Sequence, residues 1–519
     1  MHLPDAEQLP RCDVLVVGGG INGCGIARDL AGRGLGVWLC EQHDLAAHTS
    51  SASSKLVHGG LRYLEQFEFG LVRKALHERE VLLRAAPHLV RPLRIVMPHD
   101  PALRPRWMLR AGLFLYDHLA RRGWLPASSA IDLRTDRSGA VLRDAWRHGF
   151  AYADARADDA RLVVACALDA AQRGCRVHTR TRVGALARDA QGWTAELIGD
   201  GGARTQLRAR AVVNAGGPWA DAVHAATGLG ATRRLRLVKG SHIVVPRLQQ
   251  GDDGYILQQP DRRIVFVLPF GARLSLIGTT DVEYRADPAL ARIDSAEVDY
   301  LCASVARYFR RAPQASDIVW SYAGVRPLLD EPDTRAAEVS RDYRLELDVA
   351  GAPLLSVWGG KLTTFRLLAE QAADLLAPRL GCRAPAWTGG AVLPGGDLAG
   401  ALGRARPGPD DFDAFAAQLQ QRHAWLDAAV CARWAHGYGT RAERLLDGVR
   451  GTSGLGAQLA PGLYEAELDY LAREEWARCA DDVLWRRSKL GLEFDLAQRS
   501  AVELWFERAR PDHAQCACR

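Results

Sequence analysis

The chain has 519 residues, too many for one simple core, so two or three structural units are expected. Its 48% hydrophobic and 25% charged residues are typical of a soluble globular protein. The net charge of +6 is mild. The sequence lacks an arginine-rich stripe interleaved with aromatic residues, which would be the sign of a nucleic-acid-binding surface.

The cysteines and the apolar runs exclude further classes of protein. The 11 cysteines include no C-x-x-C pair, which predicts reduced thiols in a cytosolic protein, without a disulfide framework or a metal site. The first residues lack a signal-peptide pattern, and no run approaches the roughly 18 apolar residues of a membrane-spanning helix. If a membrane matters, we expect the protein to lie on its surface.

The first predicted unit is a strand, a glycine turn, a helix and a second strand. The strand "DVLVV" (13–17) runs into Gly18-x-Gly20-x-x-Gly23, and the next strand ends at Glu41. Such glycines permit a tight turn, a close approach of backbone N–H groups to a pyrophosphate, and close helix–strand packing. An acidic residue at Glu41 can accept from ribose hydroxyls and disfavours a 2′-phosphate. The pattern predicts dinucleotide binding; the alternative is a glycine-rich packing turn.

Two later glycine turns favour FAD over NAD. "NAGGPW" (214–219) and "WGGKLTT" (358–364) each follow a predicted strand, although each alone is compatible with an ordinary strand-to-helix connection. A flavin needs contacts from several distant strand ends. The last of these is often a helix N-terminus, whose dipole stabilises negative charge on the reduced ring.

The remaining elements predict an α/β, Rossmann-like FAD-binding domain, an antiparallel-sheet substrate domain and a C-terminal all-helical domain. Residues 236–282 alternate apolar and polar positions, as antiparallel strands do, and the pattern becomes helical after 388–400. The predicted ranges are 10–85, 150–235 and 325–380 for the FAD-binding domain, 86–149 and 236–324 for the substrate domain, and 390–519 for the helical domain.

The chain resembles the FAD-dependent glycerol-3-phosphate dehydrogenases of the glycine/D-amino-acid oxidase superfamily. The resemblance rests on "VVGGGINGCGIARDLAGRG", "TSSASSKLVHGGLRYLE", "VNAGGPW", "KGSHIVVP", "IGTTDVEY", "SYAGVRPL" and "SVWGGKLTTFR", and on the C-terminal stretch from "YEAELDYLAREEW". It implies oxidation of sn-glycerol 3-phosphate to dihydroxyacetone phosphate, with the electrons passed to a membrane quinone.

The expected substrate carries a phosphate, which an arginine fork holds with two charge-assisted hydrogen bonds. Arg62 and Arg326 are the candidates, Tyr63 adds a phenolic donor, and Lys361 serves either the phosphate or the flavin. Removal of the hydroxyl proton requires a base near neutral pKa. We favour His242, at the start of the strand "HIVVP", over His58.

The expected site is therefore divided between catalysis, substrate binding and cofactor binding. His242 and Arg326 are the catalytic candidates, and Arg62, Tyr63, Arg326 and Lys361 are the substrate-binding candidates. The residues expected to bind FAD are Gly18, Gly19, Gly20, Gly23, Glu41, Thr49, Ser50, Ser54, Lys55, Leu56, His58, Gly59, Ala215, Gly216, Gly360, Lys361, Leu362 and Thr363.

A quinone acceptor would require contact with the lipid, and residues 103–124 are the candidate segment. As a helix this segment places Arg110, Asp117 and Arg121 in one polar stripe, with apolar residues such as Trp107 and Leu115 spread across the other side. The alternative is a helix that buries its apolar side in the protein core. We expect a cytoplasmic protein, peripheral on the inner face of the cell membrane and in contact with anionic lipid. A homodimer is possible.

Four other functions remain open. A glycerol-3-phosphate oxidase would use the same site with oxygen as acceptor. An amino-acid oxidase of the same superfamily would need fewer cations than Arg62, Arg326 and Lys361 provide. From a different class, the protein could be a non-catalytic flavin carrier or an RNA-binding scaffold.

Overall fold

The computed structural model describes residues 9–230, 233–330 and 342–513, with side chains up to 508. The last residues of the predicted helical domain, 514–519, lie outside these ranges. In chain order, the strands are β1 Arg11–Val17, β2 Val37–Cys40, β3 Leu56–Val57, β4 Val90–Pro98, β5 Ser129–Asp132, β6 His148–Ala157, β7 Arg176–His178, β8 Thr181–Asp189, β9 Gly192–Gly199, β10 Arg204–Asn214, β11 Leu235–Pro246, β12 Gly254–Gln258, β13 Ile264–Phe270, β14 Leu274–Gly278, β15 Val282–Glu283, β16 Trp320–Leu329, β17 Arg344–Asp348, β18 Leu354–Trp358, β19 Gln458–Ala460 and β20 Leu463–Tyr464.

Helices follow most of the strands that carry a glycine turn. In chain order, they are α1 Ile21–Gly32, α2 Phe69–Ala85, α3 Arg106–His118, α4 Asp159–Gln172, α5 Ala220–Ala225, α6 Ser295–Ala306, α7 Phe365–Leu376, α8 Leu398–Ala401, α9 Asp411–Arg422, α10 Ala428–Tyr438, α11 Ala442–Leu446, α12 Glu465–Glu474 and α13 Leu496–His513.

The first sheet has the order β17-β18-β10-β1-β2-β7, and its central pairs are parallel. Its strands are continuous apolar runs because α1, α4 and α7 pack over one face and the β8–β9 ribbon contributes to the core on the other. Since β18, β10 and β1 are parallel neighbours, the glycine turns that follow them meet at one edge of the sheet. This arrangement brings the three predicted turns together.

The second sheet is antiparallel except for one pair, β12 with β4. The long pairing of β11 with β16 sets His242 opposite Tyr322, and Val238 opposite Arg326. His242 therefore lies inside β11, and the prediction that it starts a strand is wrong, because pairing with β16 extends the strand back to Leu235.

The predicted domain boundaries stay a prediction. The limits at 150 and 325 fall inside β6 and β16, and both strands belong to the second sheet. Each of these strands is hydrogen-bonded along its length to a neighbour in the second sheet. We therefore propose that both strands belong entirely to the substrate domain.

The C-terminal part is helical, as predicted, with one short ribbon of β19 and β20. Its separate core is built around Phe415, Trp434 and Leu468. Ion pairs fasten it to the first domain: Arg487 donates to both carboxylate oxygens of Asp44, and Arg161 pairs with Glu475. The helical domain is thus tied to the chain just before the segment 49–56.

Candidate functional site

One cavity of about 550 Å³ contains most of the predicted site residues. It begins at the first glycine turn and Glu41, passes the turns after β10 and β18, and reaches the strands β11 and β16 of the second sheet. A single elongated ligand can therefore contact both sheets.

The first glycine turn has the geometry that a dinucleotide fingerprint requires. Gly18 has a φ of +114°, and a Cβ there would lie 2.4 Å from the carbonyl oxygen of Ala215. A Cβ on Gly23 would lie 1.9 Å from the carbonyl oxygen of Gly18, so the helix packs closely on the strand. Gly20 has no side chain with which to cap α1, and the Ser50 hydroxyl accepts from the first helical N–H, that of Ile21, at 3.0 Å.

Glu41 stands at this turn, as predicted for a ribose partner. One carboxylate oxygen accepts from the Gly19 N–H at 2.7 Å and the other from the His43 N–H at 2.8 Å. Burial raises the pKa of Glu41 above its usual value. The side chain lines the cavity.

The segment 49–56 connects the two sheets at the cavity wall. Thr49 donates to the carbonyl of Val325 at 2.8 Å, and Ser50 accepts from the Ile21 N–H at 3.0 Å. Ser54 and Leu56 also line the cavity, whereas Lys55 does not. The ammonium of Lys55 forms a buried ion pair with Asp159, at 2.8 Å to each carboxylate oxygen.

The third glycine turn precedes α7 and lies beside the first. Gly360 has a φ of +105°, and the amide of Asn22 donates to the Gly359 carbonyl at 3.1 Å, joining the two turns. The Nζ atom of Lys361 lies 4.0 Å from the centre of the Tyr63 ring. Ala215, Gly216, Leu362 and Thr363 complete this part of the lining.

Both candidate bases reach the cavity. His242 is buried, its Nε2 lies 2.9 Å from the Ser54 hydroxyl, and its ring stacks on Tyr322 at 4.8 Å. Burial, with a smaller contribution from Arg326 and Lys55, holds the pKa of His242 well below its usual value. The ring is therefore neutral at pH 7. His58 donates its backbone N–H to Thr363 at 3.2 Å, and its ring meets Phe266 edge-on.

The two predicted arginines occupy different positions. Arg326 lines the cavity, forms an ion pair with Asp281, and donates to the Thr279 hydroxyl at 2.9 Å. Arg62 is half-buried in the 3₁₀ turn Leu61–Gln66 and is not part of the cavity wall, although its neighbour Tyr63 is. Gly19, Gly23 and Gly59, which were also predicted to be site residues, are not part of the cavity wall either.

Sequence reasoning did not single out several residues of this site. Asp281 orients Arg326, Tyr322 stacks on His242, and Asn22 joins two glycine turns. Asp281 and Tyr322 lie in the quoted motifs "IGTTDVEY" and "SYAGVRPL", which was the available signal. Asn22 had none beyond its place in the glycine turn.

The residues present fit FAD. The glycine turn and the positive end of α1 suit a pyrophosphate, and Glu41 stands where a ribose would follow. Gly360, Lys361 and Leu362 stand before α7, where a helix N-terminus meets the far end of the cavity. In addition, Nδ1 of His242 is a buried polar atom with no hydrogen-bond partner within the described part of the chain.

The fold and this cavity define a flavin-dependent oxidoreductase. The profile of the FAD dependent oxidoreductase family matches residues 13–366, and that of the C-terminal domain of alpha-glycerophosphate oxidase matches residues 387–507. The chain belongs to the FAD-dependent oxidoreductase family, and its cofactor is FAD.

Two relatives match over nearly the whole length of the chain. The chain is 50% identical over 517 residues to a glycerol-3-phosphate dehydrogenase of Pseudomonas aeruginosa, and the aligned region covers 98% of each chain. It is 45% identical over 504 residues to the D-erythritol 1-phosphate dehydrogenase of Brucella abortus, covering 96% of this chain and 98% of that one. The structure of the glycerol-3-phosphate dehydrogenase from Bacillus halodurans complexed with FAD superposes with a TM-score of 0.77, at 26% identity, over 98% of this chain and 93% of that one.

Proposed function

We propose that the protein oxidises sn-glycerol 3-phosphate at C2 to dihydroxyacetone phosphate. The observation that carries this proposal is the convergence of Arg326, Lys361 and His242 on the wall of the cavity that fits FAD. Two cations beside one neutral histidine suit a phosphorylated alcohol, which needs both charge neutralisation and a proton acceptor. The name of the relative at 50% identity supports the same substrate.

Each side chain has a distinct part in this reaction. FAD, when bound in this cavity, would supply the acceptor for the hydride that leaves C2. Arg326, held in place by Asp281 and Thr279, and Lys361, placed over the Tyr63 ring, bind the phosphate. His242 accepts the hydroxyl proton, and because its ring is already neutral no prior deprotonation is required. The adjacent Ser54 hydroxyl rotates to donate or accept as the ring changes its protonation state.

A second candidate substrate is D-erythritol 1-phosphate, because a relative of that name is 45% identical over 96% of the chain. This molecule also presents a phosphate and secondary hydroxyls, so the same cations would hold it. The alternatives of an amino-acid oxidase and of a non-catalytic flavin carrier predict no reduction by either polyol phosphate.

The test is anaerobic bleaching of the purified yellow protein by matched substrates. Glycerol 3-phosphate is compared with D-erythritol 1-phosphate, unphosphorylated glycerol, glycine and a D-amino acid. Rapid bleaching by glycerol 3-phosphate, and slow or absent bleaching by glycerol, is the expected result. Faster bleaching by the erythritol ester would transfer the assignment to that substrate, and bleaching only by amino acids would overturn it.

We further propose that the electrons pass to a membrane quinone and that the protein is cytoplasmic and docks on the inner face of the cell membrane through α3. The helix presents Trp107, which is 73% exposed, together with Met108, Phe114 and Leu115. Phe67 (79% exposed) and Phe69 are exposed in the preceding segment, which packs against α3. Among the described residues, no helix is both long and apolar enough to cross a bilayer.

A basic groove adjoins these apolar residues. It runs between α2 and the end of α3, and its basic side chains are Arg73, Lys74, Arg121 and Arg122, beside His77 and His118. Asp117 also lines the groove and pairs with Arg122. Positive charge beside exposed aromatic side chains suits anionic headgroups above an apolar layer. The groove therefore supports docking on anionic lipid.

The predicted polar stripe of this segment requires one correction. Asp117 is buried and accepts from the N–H and hydroxyl of Ser128 at 2.9 and 2.6 Å, so it belongs to the inner side of α3. Arg121 lies beyond the end of the helix at His118. The prediction placed Asp117 in the polar stripe because its hydrogen-bond partner, Ser128, lies in a different segment of the chain.

The acceptor is tested by comparing turnover with a soluble quinone analogue and with oxygen. Quinone reduction with little peroxide supports the dehydrogenase. Rapid peroxide release with little quinone reduction would identify a glycerol-3-phosphate oxidase instead. A homodimer also remains a proposal, which the molar mass in solution tests.

A further inference from the structure

A buried hydrogen-bond cluster joins α2, α3 and β6 behind the cavity. The Tyr116 hydroxyl donates to Asp154 at 2.7 and 2.9 Å, and Arg79 donates to the same carboxylate at 2.7 Å and to the Ala153 carbonyl at 2.9 Å. Tyr116, Asp154 and Arg79 are each at most 3% exposed. An ion pair and a hydroxyl held together in this way, away from water, fix the relative positions of the three elements.

This cluster ends on the backbone of Gly59. The Gly59 N–H donates to the Tyr116 hydroxyl at 2.8 Å, with a longer contact of 3.4 Å to Asp154. A Cβ on Gly59 would lie 2.6 Å from the Tyr116 hydroxyl oxygen and 2.5 Å from Leu76, so only glycine allows this approach. The hydroxyl of one residue of α3 therefore sets the path of the chain at Gly59.

The residues on either side of this point enter the cavity. His58 precedes Gly59, and Gly60, with a φ of +75°, packs so closely under the Tyr63 ring that a Cβ would lie 2.3 Å from it. Tyr63 in turn lies under the ammonium of Lys361. A shift of Gly59 would displace the histidine on one side and the phosphate-binding pair on the other.

The same helix has an outer face on which apolar side chains are exposed, although Phe114 stacks on His118. Leu109, Leu113 and Tyr116 point inward, whereas Trp107, Phe114 and Leu115 are exposed. Because a helix of this length moves as a rigid body, a force on its outer face reaches Tyr116 on its inner face.

We propose that Tyr116 is a positioning residue that couples the placement of α3 to substrate binding. Occupation of the outer face of α3 by an anionic lipid surface holds the helix, and the Tyr116 hydroxyl passes this constraint to Gly59 and thus to His58 and Tyr63. The proposal rests on the proposed function in one respect, that the outer face of α3 meets lipid.

The test compares Tyr116→Phe with a matched control, Tyr152→Phe. Tyr152 is buried, its ring meets that of Tyr116 edge-on at 5.8 Å, and it does not contact Gly59. The holoenzyme is assayed with the polyol phosphate that bleaches it, with and without vesicles of anionic phospholipid. Loss of the hydroxyl should raise KM about 3- to 10-fold, as expected for one buried hydrogen bond, with FAD content retained and kcat changed less than KM. Vesicles should lower the wild-type KM and the control KM, and should have little effect on Tyr116→Phe.

Flotation of each protein with the same vesicles separates the two proposals. If wild type does not float, docking through α3 fails, while the KM of Tyr116→Phe without vesicles still tests positioning. If wild type floats but its KM ignores the vesicles, the coupling is overturned and docking stands. An equal rise of KM in Tyr116→Phe and Tyr152→Phe would mean that Tyr116 contributes only to packing, which would overturn its positioning role.

A measurement on the wild type covers the case in which Tyr116→Phe fails to fold. Amide hydrogen exchange of a peptide spanning 56–66 should slow when anionic vesicles are added, because Gly59 and its neighbours become better held. Exchange that is unchanged in a protein that floats would overturn the proposal.

Discussion

The hydroxyl of Ser54 lies 2.9 Å from Nε2 of His242. This contact joins the segment expected to wrap the flavin to the candidate base on β11, although the two residues are 188 positions apart. In the proposed reaction, proton transfer and cofactor binding would therefore depend on one hydrogen-bonded unit, whose stacking partner is Tyr322.

Replacement of His242 by alanine should slow anaerobic flavin reduction by about 10²–10⁴-fold, which is the usual share of general acid–base catalysis. FAD content should be retained, because Thr49 and Ser50 hold the segment 49–56 independently of His242. Stopped-flow absorbance measures the rate. His58→Ala is the matched comparison. If flavin reduction slows by this factor in His58→Ala and is unchanged in His242→Ala, the role of base passes to His58.

The pH dependence of kcat/KM gives a second reading on the same residue. Because the folded protein holds the pKa of His242 below 6.5, the ring stays neutral as pH falls through 6.5. The acid limb of the profile that depends on His242 should therefore lie below pH 6.5. A limb at or above 6.5 that disappears in His242→Asn would contradict this environment.

Replacement of Arg326 by alanine should weaken binding of the phosphorylated substrate by about 2–5 kcal/mol, since a desolvated charge-assisted contact is lost and the ion pair with Asp281 is broken. Arg326→Lys should rescue poorly because an ammonium cannot reproduce the planar fork. Steady-state KM is the measurement, with Arg273→Ala, an exposed arginine outside the cavity, as control. Because Arg62 does not line the cavity, Arg62→Ala should raise KM less than Arg326→Ala does. A normal KM in Arg326→Ala would remove Arg326 from the site.

The double variant Trp107→Glu, Phe114→Glu should abolish flotation with anionic vesicles, because two exposed aromatic side chains become charged. Its FAD content and its activity with a soluble acceptor should be kept. Leu496→Glu is the matched control, because Leu496 is equally exposed but lies on α13. Equal loss of flotation in the control, or none in the double variant, would place the membrane contact elsewhere.

Replacement of Asp44 by asparagine should destabilise the holoenzyme and loosen FAD. Arg487 is fully buried, and breaking a buried pair costs about 3–5 kcal/mol because a charge is left uncompensated. Asp44 also precedes Ala46, whose N–H bonds to the Gly19 carbonyl of the phosphate turn at 3.1 Å. The FAD retained after dialysis and the unfolding midpoint are the measurements.

Asp413→Asn is the control for this experiment. Its ion pair with Arg91 also joins the helical domain to the rest of the chain, but Asp413 is 77% exposed, so its loss should cost about 0–1 kcal/mol. Similar effects of the two variants would mean that the position of Asp44 beside the flavin segment has no special importance.

Local sequence determined the cofactor half of this protein. The spacing of Gly18, Gly20 and Gly23 and the acidic Glu41 state a steric and electrostatic requirement within a few dozen residues, so the turn, its helix and dinucleotide binding can be predicted from them. The three glycine turns could be predicted singly for the same reason. The preference for FAD over NAD came from the two later glycine turns. The C-terminal helices follow from their apolar periodicity.

Only the tertiary structure decided which side chains meet at the site and which support it. Asp281 reaches Arg326 and Ser54 reaches His242 through the pairing of β11 with its neighbours and the path of the segment 49–56, and no local pattern encodes such distant contacts. Lys55, predicted to bind FAD, is drawn instead into an ion pair with Asp159, 104 positions away, because a buried ammonium needs a carboxylate. Likewise, the two faces of α3 became distinguishable only once Tyr116 and Asp117 had found their partners in other segments, since periodicity cannot tell a buried polar group from an exposed one.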